Sequence, residues 1–452
     1  MLKRRSFIKT ASILAATALV APGYALNVKK RRRLVVLGAG IAGLTAAYRL
    51  QQLGFAVDVV ERQSRIGGRI MTYRPDPANP FTVEMGGEWI GSSHRSILKL
   101  IDELGLKTES HTFDTHLLYK GVHSKPGAWD FSPQAKQAMR TVIEKYNTLK
   151  EHERVAFDKM DWWRYLKNNG YDTRDLDLQD MIDSSGYGES IRQVSSLRAM
   201  KLYDAYSPAN EMEFRITGGN DSLCNALADK IGRQNIHLNQ QIIKVKQTPG
   251  GVTAFAQNGN MYTGDKLVCA LPILAVQKIS WEPAFSEDRM HAINSVQYGR
   301  VNRTAFLFKE RFWQDDSFSM LTDQSAQYLY HATRGQAGSN GVIMVHATGD
   351  RASVFGNADE HKRANMLDEA LNPVFGDVRK KLIKQNNYDW SRDAVVMGST
   401  ALYGPGQWIN TLPLLRKEQH NIHFAGEHLG EWAGFMEGAV DSGLAVAEQI
   451  IN

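Results

Sequence analysis

A chain of 452 residues is longer than one ordinary hydrophobic core organises, so two or three domains are expected, discontinuous ones among them. With 23% charged residues and a mean hydropathy of −0.36, the body has no apolar run long enough to span a bilayer, and no membrane anchor is expected past the N-terminus. The net charge of +6 is no argument for nucleic-acid binding: Lys3, Arg4, Arg5, Lys9, Lys29, Lys30, Arg31, Arg32 and Arg33 supply nine positives in a stretch without an acid, and without them the remainder stands at −3.

The first element in chain order is a leader. Lys3 to Lys9 precedes an apolar stretch from Ala11 to Ala21, and Pro22 and Gly23 close it before Ala25, where small residues suit cleavage. Arg4 and Arg5 ahead of Ser6, Phe7 and Ile8 resemble the twin-arginine export motif. The resemblance implies a signal peptide over residues 1–25, a basic linker over 26–33, the twin-arginine translocase as a partner during export, and a periplasmic destination. The alternative, an uncleaved anchor helix, is opposed by the shortness of the apolar run and by Pro22 and Gly23. Cys224 and Cys269, the two cysteines, lie in apolar contexts and read as core residues without a disulfide framework. With no clustering of histidines and acids, no metal site is expected.

Residues Arg33 to Leu37 form a short β-rich run, followed by Gly38-Ala-Gly40-Ile-Ala42-Gly43 and a helical stretch from Ile41 to Leu53. A second strand, Ala56 to Val60, ends in Glu61. This strand, glycine turn, helix and strand make a dinucleotide-binding unit. Gly38 permits the tight turn, Gly40 lets the backbone approach a diphosphate at the helix N-terminus, and Gly43 lets helix and strand pack closely. Glu61 is placed to accept the ribose hydroxyls of an adenosine, with Ala42 and Arg62 completing the set. NAD and FAD share this signature. The next residues, Arg62 to Ile66 and then Gly67-Gly68-Arg69, decide between them: they resemble the extended FAD motif of the flavin monoamine oxidase family, in which the glycines allow close backbone approach and the arginine presents a planar fork of donors.

Further matches to that family run to the C-terminus. Glu84-Met85-Gly86-Gly87-Glu88-Trp89-Ile90-Gly91 resembles its glycine-rich segment beneath the flavin, and Arg215 to Leu223, with Gly218 and Gly219, resembles the turn that brings the chain back to the FAD domain. Ile242, Ile243 and Val245 would form a strand beside the adenine, with Ile243 as the contact, and Lys266 to Pro272 another strand ending in a turn. His423 to His428, with Gly426 and Glu427, and then Trp432 to Ala439, with Phe435 and Met436, pair an acid able to bond a cofactor hydroxyl with a helix N-terminus suited to negative charge. The resemblance covers about Leu34 to Ile451. It implies an α/β fold: a Rossmann-like, glutathione reductase-like FAD domain over 34–90, 211–283 and 392–452, and a discontinuous α+β substrate domain over 91–210 and 284–391. Residues from Ser132 to Tyr206 carry helical periodicity and aromatic side chains and read as a helical part over the pocket.

The implied chemistry is FAD-dependent oxidation of an amine to an imine by hydride transfer, the imine then hydrolysing to aldehyde and ammonia. Oxygen or another acceptor would take the electrons, and a homodimer is the assembly considered. Arg303 stands where the family has a lysine water-bridged to the flavin; since a guanidinium stays charged and donates from a plane, fast reaction with oxygen is not expected, and an amine dehydrogenase becomes the alternative. If the register is off, Arg303 is a surface strand residue. Ser399 stands at the place of the covalent flavin cysteine, so FAD should be held noncovalently. Of two aromatic residues flanking the amine, Phe435 keeps one place and Thr400 takes the other, while Trp432 and Trp390 are further aromatic candidates at the catalytic centre or plain core. L-amino acid oxidases resemble this pattern but carry an arginine for the substrate carboxylate where Trp89 stands here, which favours an amine without a carboxylate. An L-amino acid oxidase-like or desaturase-like flavoenzyme and a FAD-stabilised binding module are the competing readings.

Overall fold

The computed structural model describes residues 32–75, 81–206 and 211–451. The expected signal peptide, including Arg4 and Arg5, and residues 26–31 of the expected linker lie outside these.

Strand Arg33–Leu37 is central in a parallel five-stranded sheet, ordered Ile422–Phe424, Lys266–Cys269, Arg33–Leu37, Ala56–Val60, Ile236–His237. Its residues Leu34 to Leu37 are all fully buried, because each face has its own cover. By the two-residue period of a strand, Leu34 and Val36 meet the helices Ile41–Gln52, Asp221–Ile231 and Met436–Ile451. Val35 and Leu37 face the opposite way, onto Val245, Val252 and Ala254 of a second, four-stranded sheet. Burying each such side chain contributes roughly 1.5–3 kcal/mol. The five parallel strands come from four distant stretches of the chain, so their C-terminal ends bring Gly38, Glu61, Ala270 and Gly426 to one edge.

A seven-stranded sheet follows the order Leu382–Asp389, Val301–Phe308, Gly341–Thr348, Tyr328–His331, Phe318–Thr322, Asp114–Tyr119, Val122–Ser124. Val301–Phe308 and Gly341–Thr348 are buried along their whole length. Phe306, Phe308, Ile343 and Val345 pack on the helices Gly349–Asn357 and Glu360–Phe375. The other face carries Ala305, Leu307, Val342 and Met344 toward Val83 and Met85 of the glycine-rich segment. Arg303 and His346 are cross-strand partners on that same face.

Helices Pro133–Tyr146, Glu151–Asp158, Trp162–Asn168, Thr173–Tyr187 and Ser196–Ala205 form the expected helical part. Thr173–Tyr187 starts where the Asp172 carboxylate accepts from Asp175 N at 2.8 Å and stops at Gly188, in the left-handed region at φ +75°. This stop sets Ser185 and Gly186, one turn earlier, against the cleft between the two sheets. Cys224 and Cys269 are free and buried.

Candidate active site

A long cleft, with about 1870 Å³ of empty space counting its open mouth, runs from the glycine turn to the inner face of the seven-stranded sheet. At its first end Gly38 is in the left-handed region at φ +100°. A Cβ on Gly43 would lie 2.0 Å from the Gly38 carbonyl oxygen, so helix and turn can touch only with glycine there. Gly43 packs and does not line the cleft, whereas Gly38, Gly40 and Ala42 do. A Cβ on Gly40 would meet nothing closer than Gly68 Cα at 4.0 Å, so its free side is cleft, and no side chain caps the helix that begins after it. Gly67 N donates to Ala39 O at 2.8 Å, laying the twin glycines along the turn. Glu61 accepts from Ala39 N at 2.8 Å and Gln63 N at 2.7 Å while its carboxylate still borders the cleft; burial pushes its pKa up. Arg62 lines the cleft beside it.

Arg69 and Glu427 also line the cleft, but they face each other. Arg69 Nη1 donates to Glu427 Oε1 at 2.6 Å and to the Ser399 carbonyl at 2.7 Å. Glu427 further accepts from Gly434 N at 2.8 Å and Ala401 N at 3.1 Å. The acid expected to hold a cofactor hydroxyl and the fork expected to face an anion are thus a pair, Glu427 buried and Arg69 half-buried, joining three chain segments.

The far end is lined by Glu88, Trp89, Arg303, His346, Trp390 and Phe435, with Ser185, Gly186, Val301, Thr400 and Gly434. Arg303 is no surface residue: it is 3% exposed. Its Nε donates to His346 Nδ1 at 3.2 Å, and Nη1 donates to Glu84 O at 2.7 Å and Glu88 Oε2 at 2.5 Å. The guanidinium stands 5.4 Å from the Trp89 ring centroid. Glu88 takes two more donors, His111 Nε2 at 2.7 Å and the Tyr330 hydroxyl. Burial alone would raise Glu88, but Arg303 first and the His111 bond next outweigh it and hold the carboxyl at about 2. Burial and the Arg303 charge push His346 down to about 3, so it is neutral, accepting at Nδ1 and donating from Nε2 to Ser185 O at 3.1 Å.

Three expected site residues, Ile243, Met85 and Trp432, do not line the cleft. Ile243 is 43% exposed and off the cleft; the irregular register between Ile242 and Lys244 turns Ile242 inward instead. Met85 is fully buried behind the cleft, and its carbonyl accepts from Trp390 Nε1 at 2.7 Å. Trp432 does not line the cleft; it packs behind Phe435, with its ring 4.8 Å from His94 and 5.9 Å from Tyr206. Gly43 has the close-packing role expected of it and serves the cofactor turn without lining the cleft. Gly68, Gly86, Gly87, Gly426 and Met436 border the cleft, as do Trp390 and Phe435. The sequence reading missed His346, Ser185 and the His111–Tyr330 support of Glu88. The cross-strand register that sets His346 beside Arg303 leaves no local trace in the chain.

Residues 41–451 match the model of the family described as flavin containing amine oxidoreductase. The chain belongs to this family. Among relatives of this amine oxidoreductase, an L-amino-acid oxidase of Crotalus adamanteus is 25% identical over 93% of this chain and 87% of its own, and one of Demansia vestigiata is 24% identical over 93% and 86%. In fold it is similar to cyclohexylamine oxidase from Brevibacterium oxydans IH-35A, with a TM-score of 0.83, 21% identity and coverage of 93% of this chain and 100% of that one. It is also similar to a putrescine oxidase bound to putrescine, with a TM-score of 0.82 at 20% identity, covering 93% and 99%. The amine oxidoreductase is therefore an FAD enzyme that oxidises amines. The open glycine cradle at Gly40, the uncapped helix N-terminus and the Glu61 carboxylate at the cleft fit that cofactor.

Proposed function

We infer that this enzyme oxidises an amine without a carboxylate and delivers the electrons to oxygen slowly, so that another acceptor serves it better. The reading is carried by one observation: the cation at the far end of the cleft, the amine end in this reading, is Arg303, buried and paired with Glu88, under an aromatic wall formed by Trp89. Bound FAD would supply the two-electron acceptor for the hydride that leaves the carbon bearing the amine nitrogen as the carbon–nitrogen double bond forms. The chain's part is to bind and orient. The Gly38–Gly40 turn and the N-terminus of Ile41–Gln52 would hold the diphosphate, and Glu61 the ribose hydroxyls. Neither cysteine lines the cleft, which supports noncovalent binding. Gly86, Gly87 and Met436 would back the ring end, with the N-terminus of Met436–Ile451 favouring negative charge there.

At the amine end, Phe435 and Trp89 offer apolar faces to the substrate carbon skeleton, and Trp390 closes the side. Neither Glu88 nor His346 titrates near neutral pH, so neither serves as a base there; the amine enters the reaction in its neutral form by losing its proton to water. A guanidinium tied at Nε and Nη1 is a poor holder of a single bridging water compared with a lysine ammonium. Arg303→Lys should therefore speed oxygen consumption while changing anaerobic amine oxidation less. Stopped-flow measurement of the two half-reactions tests this, and fast oxygen reaction in the unmodified enzyme, unaltered in R303K, would refute it.

Export through the twin-arginine route and residence in the periplasm belong to the same proposal, supported by Arg4, Arg5 and the leader composition. A homodimer is part of it only as an assembly to be measured.

A further inference from the structure

Four cations border the cleft: Arg62, Arg69, Lys278 and Arg303. Arg62 flanks Glu61 at the nucleotide end, and the exposed Lys278 lays its ammonium on Met397 Sδ at 3.0 Å. Arg69 and Arg303 are each matched by one carboxylate, Glu427 and Glu88. At Arg303, Nε and Nη1 are engaged, whereas Nη2 has no partner among the described residues. Nη2 is unpartnered yet not fully enclosed, so it is the nitrogen that reaches the open cleft. One guanidinium arm is thus fixed and the other is presented.

A free guanidinium arm beside an amine-binding surface is the usual means of gripping a carboxylate. Here the arm does not come alone. Glu88 is fully surrounded by donors from three separate elements: Arg303 on one strand, Tyr330 on another and His111 in the segment before Asp114–Tyr119. It cannot swing away without giving up all three bonds, so its negative charge is a permanent neighbour of Nη2. A substrate carboxylate approaching that nitrogen would approach a second carboxylate at the same time. An ammonium or neutral amine meets a pair with no net charge.

We propose that Glu88 is the specificity-determining residue of the amine end: by pairing with Arg303 it withholds the cleft's open guanidinium nitrogen from carboxylates, so that amines are admitted and α-amino acids refused. This rests on the amine reading of the site and names the residue that restricts it. Glu88 acts through Arg303 and is a positioning residue in that sense.

The test uses the FAD-loaded enzyme and three probes of one shape: benzylamine, benzamide and benzoate, titrated against the visible spectrum and by calorimetry. The unmodified protein should bind benzamide and benzylamine and bind benzoate far more weakly. Glu88→Gln should gain benzoate affinity by about ten- to hundredfold, the worth of one charge-assisted hydrogen bond, and Glu88→Gln combined with Arg303→Gln should lose the gain. Structural damage would lower binding of every probe and cannot create a new preference. If E88Q fails to fold, the unmodified protein still decides: benzoate binding as tight as benzamide overturns the proposal, as does an E88Q variant that keeps its FAD yet gains nothing. Anaerobic oxidation of benzylamine and other amines is measured alongside. Its failure would remove the amine reading itself, an outcome separate from the benzoate comparison.

Discussion

The neutral state of His346 makes a quantitative expectation for stability. Its pKa in the folded protein is pushed down from 6.5 to about 3 by burial and by the Arg303 guanidinium. Above 6.5 the imidazole is neutral both folded and unfolded, and it costs nothing. As the pH falls below that, the unfolded chain takes up a proton that the folded one refuses until about 3, so stability is lost across this window. At about pH 5 the loss from this residue alone is about 2 kcal/mol. Other buried groups, such as Glu84 at about 7 and His428 at about 4, also titrate, so the total pH profile is not the right observable. A difference between two proteins removes them. Glutamine can accept from Arg303 Nε with its oxygen and donate to Ser185 O with its nitrogen, preserving both bonds of His346. His346→Gln should therefore be somewhat less stable than the parent at about pH 7.5, and the gap should shrink or reverse by about 2 kcal/mol at about pH 5. Urea unfolding of both proteins at the two pH values measures it. A gap that stays constant would mean that His346 takes up its proton in the fold as readily as in the unfolded chain, and the arrangement of its tautomer and of Arg303 would be wrong.

Three further outcomes are expected. Gly43→Ala places a Cβ 2.0 Å from the Gly38 oxygen and should cost about 3 kcal/mol or lose the folded cofactor turn, read as melting temperature and as the ratio of flavin absorbance to protein. Acid precipitation should release FAD into the supernatant, since no cysteine lines the cleft; flavin that stays with the pellet would contradict noncovalent binding. Changing Arg4 and Arg5 together to lysine should leave folded, yellow protein in the cytoplasm, and unchanged export of that variant would end the targeting proposal.

Local signals carried the nucleotide end. The strand Arg33–Leu37, the glycine turn and the strand ending in Glu61 are neighbours in the chain, and their periodicity and glycine spacing are enough to place the turn and Glu61 at the C-terminal ends of adjacent parallel strands. The amine end is different, because its geometry is made by long-range pairs. Arg303 was marked by its place in the family pattern, but Glu88 reaches it from 215 residues away and His346 by strand register, neither of which has a local signature. Glu427 shows the same limit: the motif gave its location, while its partner Arg69 lies 358 residues distant and claims the carboxylate. At Ile243 a bulge, a backbone event without a distinctive residue, exchanged the inward position with Ile242. Trp432 and Phe435 lie three apart in one aromatic-rich turn, and only packing against His94 and Tyr206 shows which of them borders the cleft.

The central claim is that this cleft uses FAD to oxidise amines that lack a carboxylate. Its most direct test is anaerobic mixing of the purified yellow protein with a panel of matched primary amines and α-amino acids, following loss of visible absorbance. Rapid bleaching by at least one amine is expected, with the amino acid of the same side chain at least about tenfold slower, because Arg303 is already paired with Glu88. Bleaching by amino acids as fast as by their matched amines, or by no amine at all, would contradict it.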